Sequence, residues 1–144
     1  MRKSVSDLGI AAYLMMHGYK TVGRRGRQVF FELEEKEADE MGRLTMEYLR
    51  SQYSQFDSCL MGLKNVVETP AAVGRPVSDL GIGAYVMLHG YKVLGRKGKV
   101  IFFEVAEKDE KEFVRLQIEY LGGTFHQFDA YLMGLKKCND LLLD

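Results

Sequence analysis

The chemically sharpest feature of the sequence is a dense group of cations that occurs twice. Arg24, Arg25 and Arg27 surround Gly26, and Arg96, Lys97 and Lys99 surround Gly98. Lys20 and Lys92 precede the two groups, and Phe30 and Phe102 follow them. Clustered cations suit phosphate, because each contact releases condensed counterions. An exposed aromatic ring beside them suits an unpaired base, at about 1–3 kcal/mol per stacked base. Lys20, Arg24, Arg25, Arg27, Phe30, Lys92, Arg96, Lys97, Lys99 and Phe102 therefore form the candidate nucleic-acid-binding set, with single strands favoured. The residues do not separate DNA from RNA. They also have a plainer reading: hairpin tips sit in solvent, and lysines keep sheet edges from pairing with other chains. Glu32 and Glu104 place negative charge on the same stretches. Phe30 and Phe102 would serve a protein partner equally well, so a protein-interaction or structural module is the alternative reading. Exposure of the two rings separates the readings, since stacking needs it and a core role forbids it.

Other candidates for chemistry are weaker. His17 and His89 fall at the end of an apolar helical run, where an imidazole satisfies terminal carbonyls and meets the helix dipole. His126 occurs in the second copy alone. Asp57 and Asp129 read as first-turn acids, and Glu34-Glu35 and Glu107, Asp109 and Glu110 as a solvated helix start. No P-loop, dinucleotide fingerprint or nucleophile elbow is present. The residue pattern points to a protein that is not an enzyme, with no cofactor, no metal and no small-molecule substrate.

The elements that must position the basic groups follow from turn chemistry. Tyr19–Leu33 and Tyr91–Val105 each read as two strands joined at a glycine-flanked tip. A type I turn with Gly26 or Gly98 at positive φ closes a three-residue loop. That register sets Thr21 opposite Val29 and Tyr19 opposite Phe31. One face then carries Tyr19, Thr21, Val29, Phe31 and Leu33, or Tyr91, Val93, Ile101, Phe103 and Val105, and is the expected core face. The other face is mixed: Lys20, Val22, Gln28, Phe30 and Glu32, or Lys92, Leu94, Val100, Phe102 and Glu104.

A shift of 72 residues aligns positions 5–64 with 77–136 without a gap, and 35 of the 60 positions are identical. Each copy opens with a short helix capped by Ser6 in the first copy and ended by Gly18 or Gly90. After the ribbon come two more helices, one with Met41, Leu44 and Tyr48 (or Phe113, Leu116 and Tyr120) on one face, the next with Phe56, Leu60 and Leu63. The expected class is α+β: tandem α-β-β-α-α units over 1–65 and 77–144, joined by a linker at 66–76 and paired as a pseudo-twofold dimer. A lone two-stranded ribbon is marginal in water. The two ribbons are therefore expected to share a core, with a single four-stranded sheet as one form. Zero formal net charge over 144 residues gives no general attraction to nucleic acid or membrane. Cys59 and Cys138 have no framework or metal spacing and read as free thiols. The run from Gly9 to Met16 is too short to span a bilayer and recurs internally at Gly81–Leu88, so it is structure and not a targeting signal. A cytoplasmic location is expected, with no membrane partner.

The combination of Ser6-Asp7-Leu8-Gly9-Ile10-Ala11-Ala12-Tyr13-Leu14, Gly18-Tyr19-Lys20, Phe30-Phe31-Glu32 and Phe56-Asp57 resembles small proteins encoded by bacteriophages and the related bacterial domain of unknown function DUF5659. The resemblance covers 5–64 and again 77–136. It implies no activity and no catalytic residues. It implies that single-unit members dimerise, that this chain carries both halves, and that the setting is a host-cell cytoplasm with a host or phage protein as the possible partner. The expectation is thus a phage-type accessory protein, non-enzymatic, that binds nucleic acid through two basic hairpins.

Overall fold

In a computed structural model of the chain, residues 1–69 and 73–137 are described. The fold is α+β and built from two tandem repeats of hairpin and helices. The first repeat runs β1 (Arg2–Val5), α1 (Leu8–Met16), β2 (Thr21–Arg25), β3 (Gln28–Glu32), α2 (Ala38–Leu49) and α3 (Gln52–Lys64). The second runs β4 (Arg75–Val77), α4 (Leu80–Leu88), β5 (Lys92–Lys97), β6 (Val100–Glu104), α5 (Glu110–Leu121) and α6 (Thr124–Lys137). A 3-10 turn leads into α2 at Glu35–Glu37 and into α5 at Glu107–Asp109.

The ribbons do not join into a four-stranded sheet. Each is completed instead by the short strand before its first helix, giving sheets ordered β1-β3-β2 and β4-β6-β5, antiparallel throughout. A third strand relieves the marginality of a two-stranded ribbon locally. Sequence reading missed β1 and β4 because they span too few residues to show a period-2 pattern. Arg75 and Pro76, assigned to the linker by composition, belong to β4.

The chain's compact units also differ from its repeats. One comprises Met1–Ser54 with Gln127–Asp144, the other Gln55–His126. Most of α3 therefore lies in the unit of the second repeat, and most of α6 in that of the first. In the first unit Phe128 of α6 stacks on Tyr48 of α2, with ring centroids 6.0 Å apart. In the second, Phe56 of α3 stacks on Tyr120 of α5, also at 6.0 Å. The helical faces expected from periodicity are buried, as Met41, Leu44, Tyr48, Phe56, Leu60 and Leu63 show, but each third helix finds its partners in the other repeat's unit.

The inner sheet faces are the expected ones. Val29, Phe31, Ile101 and Phe103 are fully buried. Asp7 and Asp79, not Ser6, cap the first helices: each carboxylate accepts the backbone N–H three residues on, at 3.0 Å. Positive φ at Gly18 (97°) and Gly90 (98°) ends those helices as expected.

Candidate nucleic-acid interface

The hairpin tip places the basic residues, and its geometry differs from the expected loop. Arg25 pairs with Gln28 and Lys97 with Val100, so the loops are the two-residue Gly26-Arg27 and Gly98-Lys99. Both glycines have φ of 61°, and no other residue type in the described chain has positive φ. Positive φ at the first central position alone is the type II′ pattern, whose twist matches the flanking strands. The positive-φ glycine stands; the three-residue loop does not.

Register changes with it. Thr21 lies opposite Phe31, and a bulge between Thr21 and Gly23 puts Gly23 opposite Phe30 and Arg24 opposite Val29. Val93, Gly95 and Arg96 repeat this against Phe103, Phe102 and Ile101. The extra residue at the bulge shifts every later side chain to the other face. Arg24 and Arg96 thereby share the inner face with Val29 and Ile101, whereas Arg25 and Lys97 share the outer face with Phe30 and Phe102.

The inner-face arginines serve the fold. Arg24 donates through Nη1 to the carbonyl of Leu135, in the last turn of α6, and through Nε to the Gly26 carbonyl at 2.7 Å. Arg96 donates through Nη1 to the Val66 carbonyl, just past α3, at 3.4 Å. A guanidinium at a helix C-terminus satisfies orphan carbonyls and opposes the dipole's negative end. Arg75, also on the inner face opposite Phe103, pairs with Glu110 and lies 5.7 Å over the Phe113 ring.

The outer faces hold the remaining candidates. Lys20, Arg25, Arg27, Lys92, Lys97 and Lys99 are exposed. Phe30 and Phe102 are half-buried at mid-strand in β3 and β6, between Ser4 and Gly23 in one sheet and Pro76 and Gly95 in the other. They are neither core residues nor free rings. Val22 is 39% and Leu94 47% exposed, so apolar surface adjoins each ring. Arg2, opposite Glu32 and exposed, joins the first outer face; it escaped notice because β1 did. Glu104 stands opposite Lys92 and offsets part of the second face's charge.

No family model, no curated protein and no solved structure matches this chain.

The helix-end histidines and four of the tyrosines are held by the fold. His17 and His89 bond through Nδ1 to the carbonyls of Tyr13 and Tyr85 at 2.9 Å, at the ends of α1 and α4. Tyr13 and Tyr85 donate to Glu47 and Glu119, which Arg43 and Arg115 also hold; Tyr19 and Tyr91 donate to Glu40 at 2.7 Å and Glu112 at 2.8 Å. Burial, reinforced by the partner carboxylate, pushes all four phenols up to about 12. The Tyr85 hydroxyl holds the Glu119 carboxyl below its ordinary range. Asp57 and Asp129 lie in the second turns of α3 and α6, beyond the expected first-turn position, because both helices start earlier than expected. Cys59 is half-buried, with its thiol pushed up by burial; Cys138 lies outside the described residues. Among the described residues no three His, Cys, Asp or Glu side chains group as metal ligands, and no helix is long and apolar enough to cross a membrane.

Proposed function

We propose that the protein is a non-enzymatic accessory protein, of the phage type that its sequence resembles, and that it binds single-stranded nucleic acid on the outer faces of its sheets. The observation that carries this reading is the placement of Phe30 and Phe102. Each ring sits half-exposed in mid-strand, with Arg25 or Lys97 on its own face, Arg27 or Lys99 at the tip and Lys20 or Lys92 at the strand's far end. Aromatic rings on an open sheet face stack bases in other single-strand binders, while surrounding cations follow the backbone. Arg24 and Arg96 are not contacts in this reading, because their guanidinium groups are directed to helix ends.

Fluorescence anisotropy with labelled single- and double-stranded oligonucleotides tests it. Phe30→Leu with Phe102→Leu is expected to weaken single strands by roughly tenfold or more, from a stacking contact of about 1–3 kcal/mol per base, and duplexes far less. Equal losses on both substrates, or none, would remove the stacking role.

The protein-interaction reading has its own support. Val114, Ile118 and Leu121 form an exposed apolar stripe on α5, at 43%, 68% and 55% exposure, on the side away from buried Phe113, Leu116 and Tyr120. Met61 and Met133 are also exposed, at 51% and 42%, and methionine suits adaptable contacts.

A further inference from the structure

We propose that the second unit carries a pocket for a phosphate monoester, beside its hairpin tip on the helix-covered side. A cavity of about 290 Å³ opens among Leu63, Lys64, Ser78, Leu80, Arg96 and Lys99. Ligand pockets run from roughly 300 Å³ upward, so this one suits a small molecule or a single terminal group. Three cations line it, from the end of α3, from β5 and from the turn. Leu63 and Leu80 supply an apolar wall, and Ser78 a hydroxyl.

None of the residues lining it is acidic. Asp79 caps α4 by accepting from the Ile82 N–H at 3.0 Å, and Glu68 accepts from the Gly98 N–H at 2.6 Å. The three cations on the lining thus outnumber the one carboxylate tied to its turn, that of Glu68, which already holds a backbone donor. Arg96 also keeps donor capacity. Its Nη1 bond to Val66 is long, at 3.4 Å. A phosphate monoester carries nearly two charges and three strong acceptor oxygens, which matches several separate donors better than one carboxylate does. Its organic part would lie on the leucines.

The other unit sets the contrast. The corresponding positions hold Leu135, Lys136, Ser6, Leu8, Arg24 and Arg27, the same residue types apart from arginine for lysine at the turn. There, however, Arg24 gives Nε to Gly26 and Nη1 to Leu135. The guanidinium that would meet a ligand is already taken, so the pocket is assigned to the second unit alone.

The monoester has two possible sources, a free small molecule or the end of a strand. Of its lining residues only Lys99 also belongs to the proposed single-strand face, and the inference does not depend on that reading. Isothermal titration of the full chain with a nucleoside 5′-monophosphate, the matching nucleoside and inorganic phosphate tests it. The monophosphate is expected to bind, the nucleoside not at the same concentration, and inorganic phosphate more weakly. Lys64→Gln, an exposed change at a helix end, is expected to weaken the monophosphate roughly fivefold, by loss of one charge-assisted contact in partial solvent. The same variant should leave binding of a 5′-hydroxyl oligonucleotide unchanged. Tighter binding of a 5′-phosphorylated than a 5′-hydroxyl oligonucleotide would identify the strand end as the source, and equal binding a free monoester. No binding of the monophosphate, equal binding of nucleoside or inorganic phosphate, or an unaffected Lys64→Gln variant would overturn the pocket. Failure of 5′-hydroxyl strands to bind would count against the sheet-face reading alone.

Discussion

The two hairpins share their framework and differ in what surrounds it. Both have a two-residue turn led by glycine, a bulge four residues before it, and an inner-face arginine directed to the carbonyls of a helix end. In the first, that arginine bonds the Leu135 carbonyl and, back in its own turn, that of Gly26. In the second, it makes a long bond, and the strand edge is covered by residues after α3: the Thr69 N–H donates to the Arg96 carbonyl at 2.9 Å. Gly95 is needed there, because a Cβ would meet the Thr69 hydroxyl. The outer faces diverge too, with Ser4, Val22 and Gln28 around Phe30 against Pro76, Leu94 and Val100 around Phe102. What the hairpins keep in common builds the sheet and ties it to a helix; what they vary is the surface open to solvent.

The turn glycines provide the largest expected effect on that shared framework. At φ of 61°, where an added Cβ meets nothing, Gly26→Val and Gly98→Val act through backbone strain. Each is expected to cost about 1–3 kcal/mol, read as a lower denaturation midpoint. The inner arginines come next and break the symmetry between hairpins. Arg24→Ala removes bonds to the Leu135 and Gly26 carbonyls, Arg96→Ala a single long bond to that of Val66. Arg24→Ala should cost more by about 1 kcal/mol, measured by urea unfolding. Equal losses would mean that the two arginines are held alike.

The phenol–carboxylate bonds show their effect only in alkali. Four phenols raised to about 12 in the fold, against an ordinary value of 10.0, stay protonated where the unfolded chain ionises. The folded state then binds more protons, so stability is fully present below pH 10 and falls as pH rises from about 10 to 12. Tyr13→Phe with Tyr85→Phe should flatten that fall, followed by circular dichroism across the alkaline range. At the low end, Arg25→Ala should move the melting temperature hardly at all, because its side chain is exposed at the tip.

Much of this was legible in the chain itself. The repeat, the hairpins, the glycines at positive φ and the buried faces of Val29, Phe31, Ile101 and Phe103 follow from offset, turn residues and period. Two features do not. The bulge at Val22-Gly23 leaves no period-2 trace, because one extra residue and a glycine look like the start of the turn; with it went the side on which Arg24 and Arg96 lie. The exchange of α3 and α6 was hidden because the two copies are so alike that Phe56 and Phe128 fit either site by type. Sequence likeness specifies the interface and leaves open which copy fills it.

The salt dependence of single-strand binding tests the central claim that the outer-face cations, and not the inner arginines, follow the phosphates along the strand. Affinity should fall with salt by a log–log slope of roughly 0.7 per phosphate contact. Replacing Arg25, Arg27, Lys97 and Lys99 by glutamine should remove most of that slope and nearly all binding at low salt, without lowering the melting temperature. A variant that keeps the parent's slope and affinity, or a parent that binds no oligonucleotide at low salt, would contradict the account.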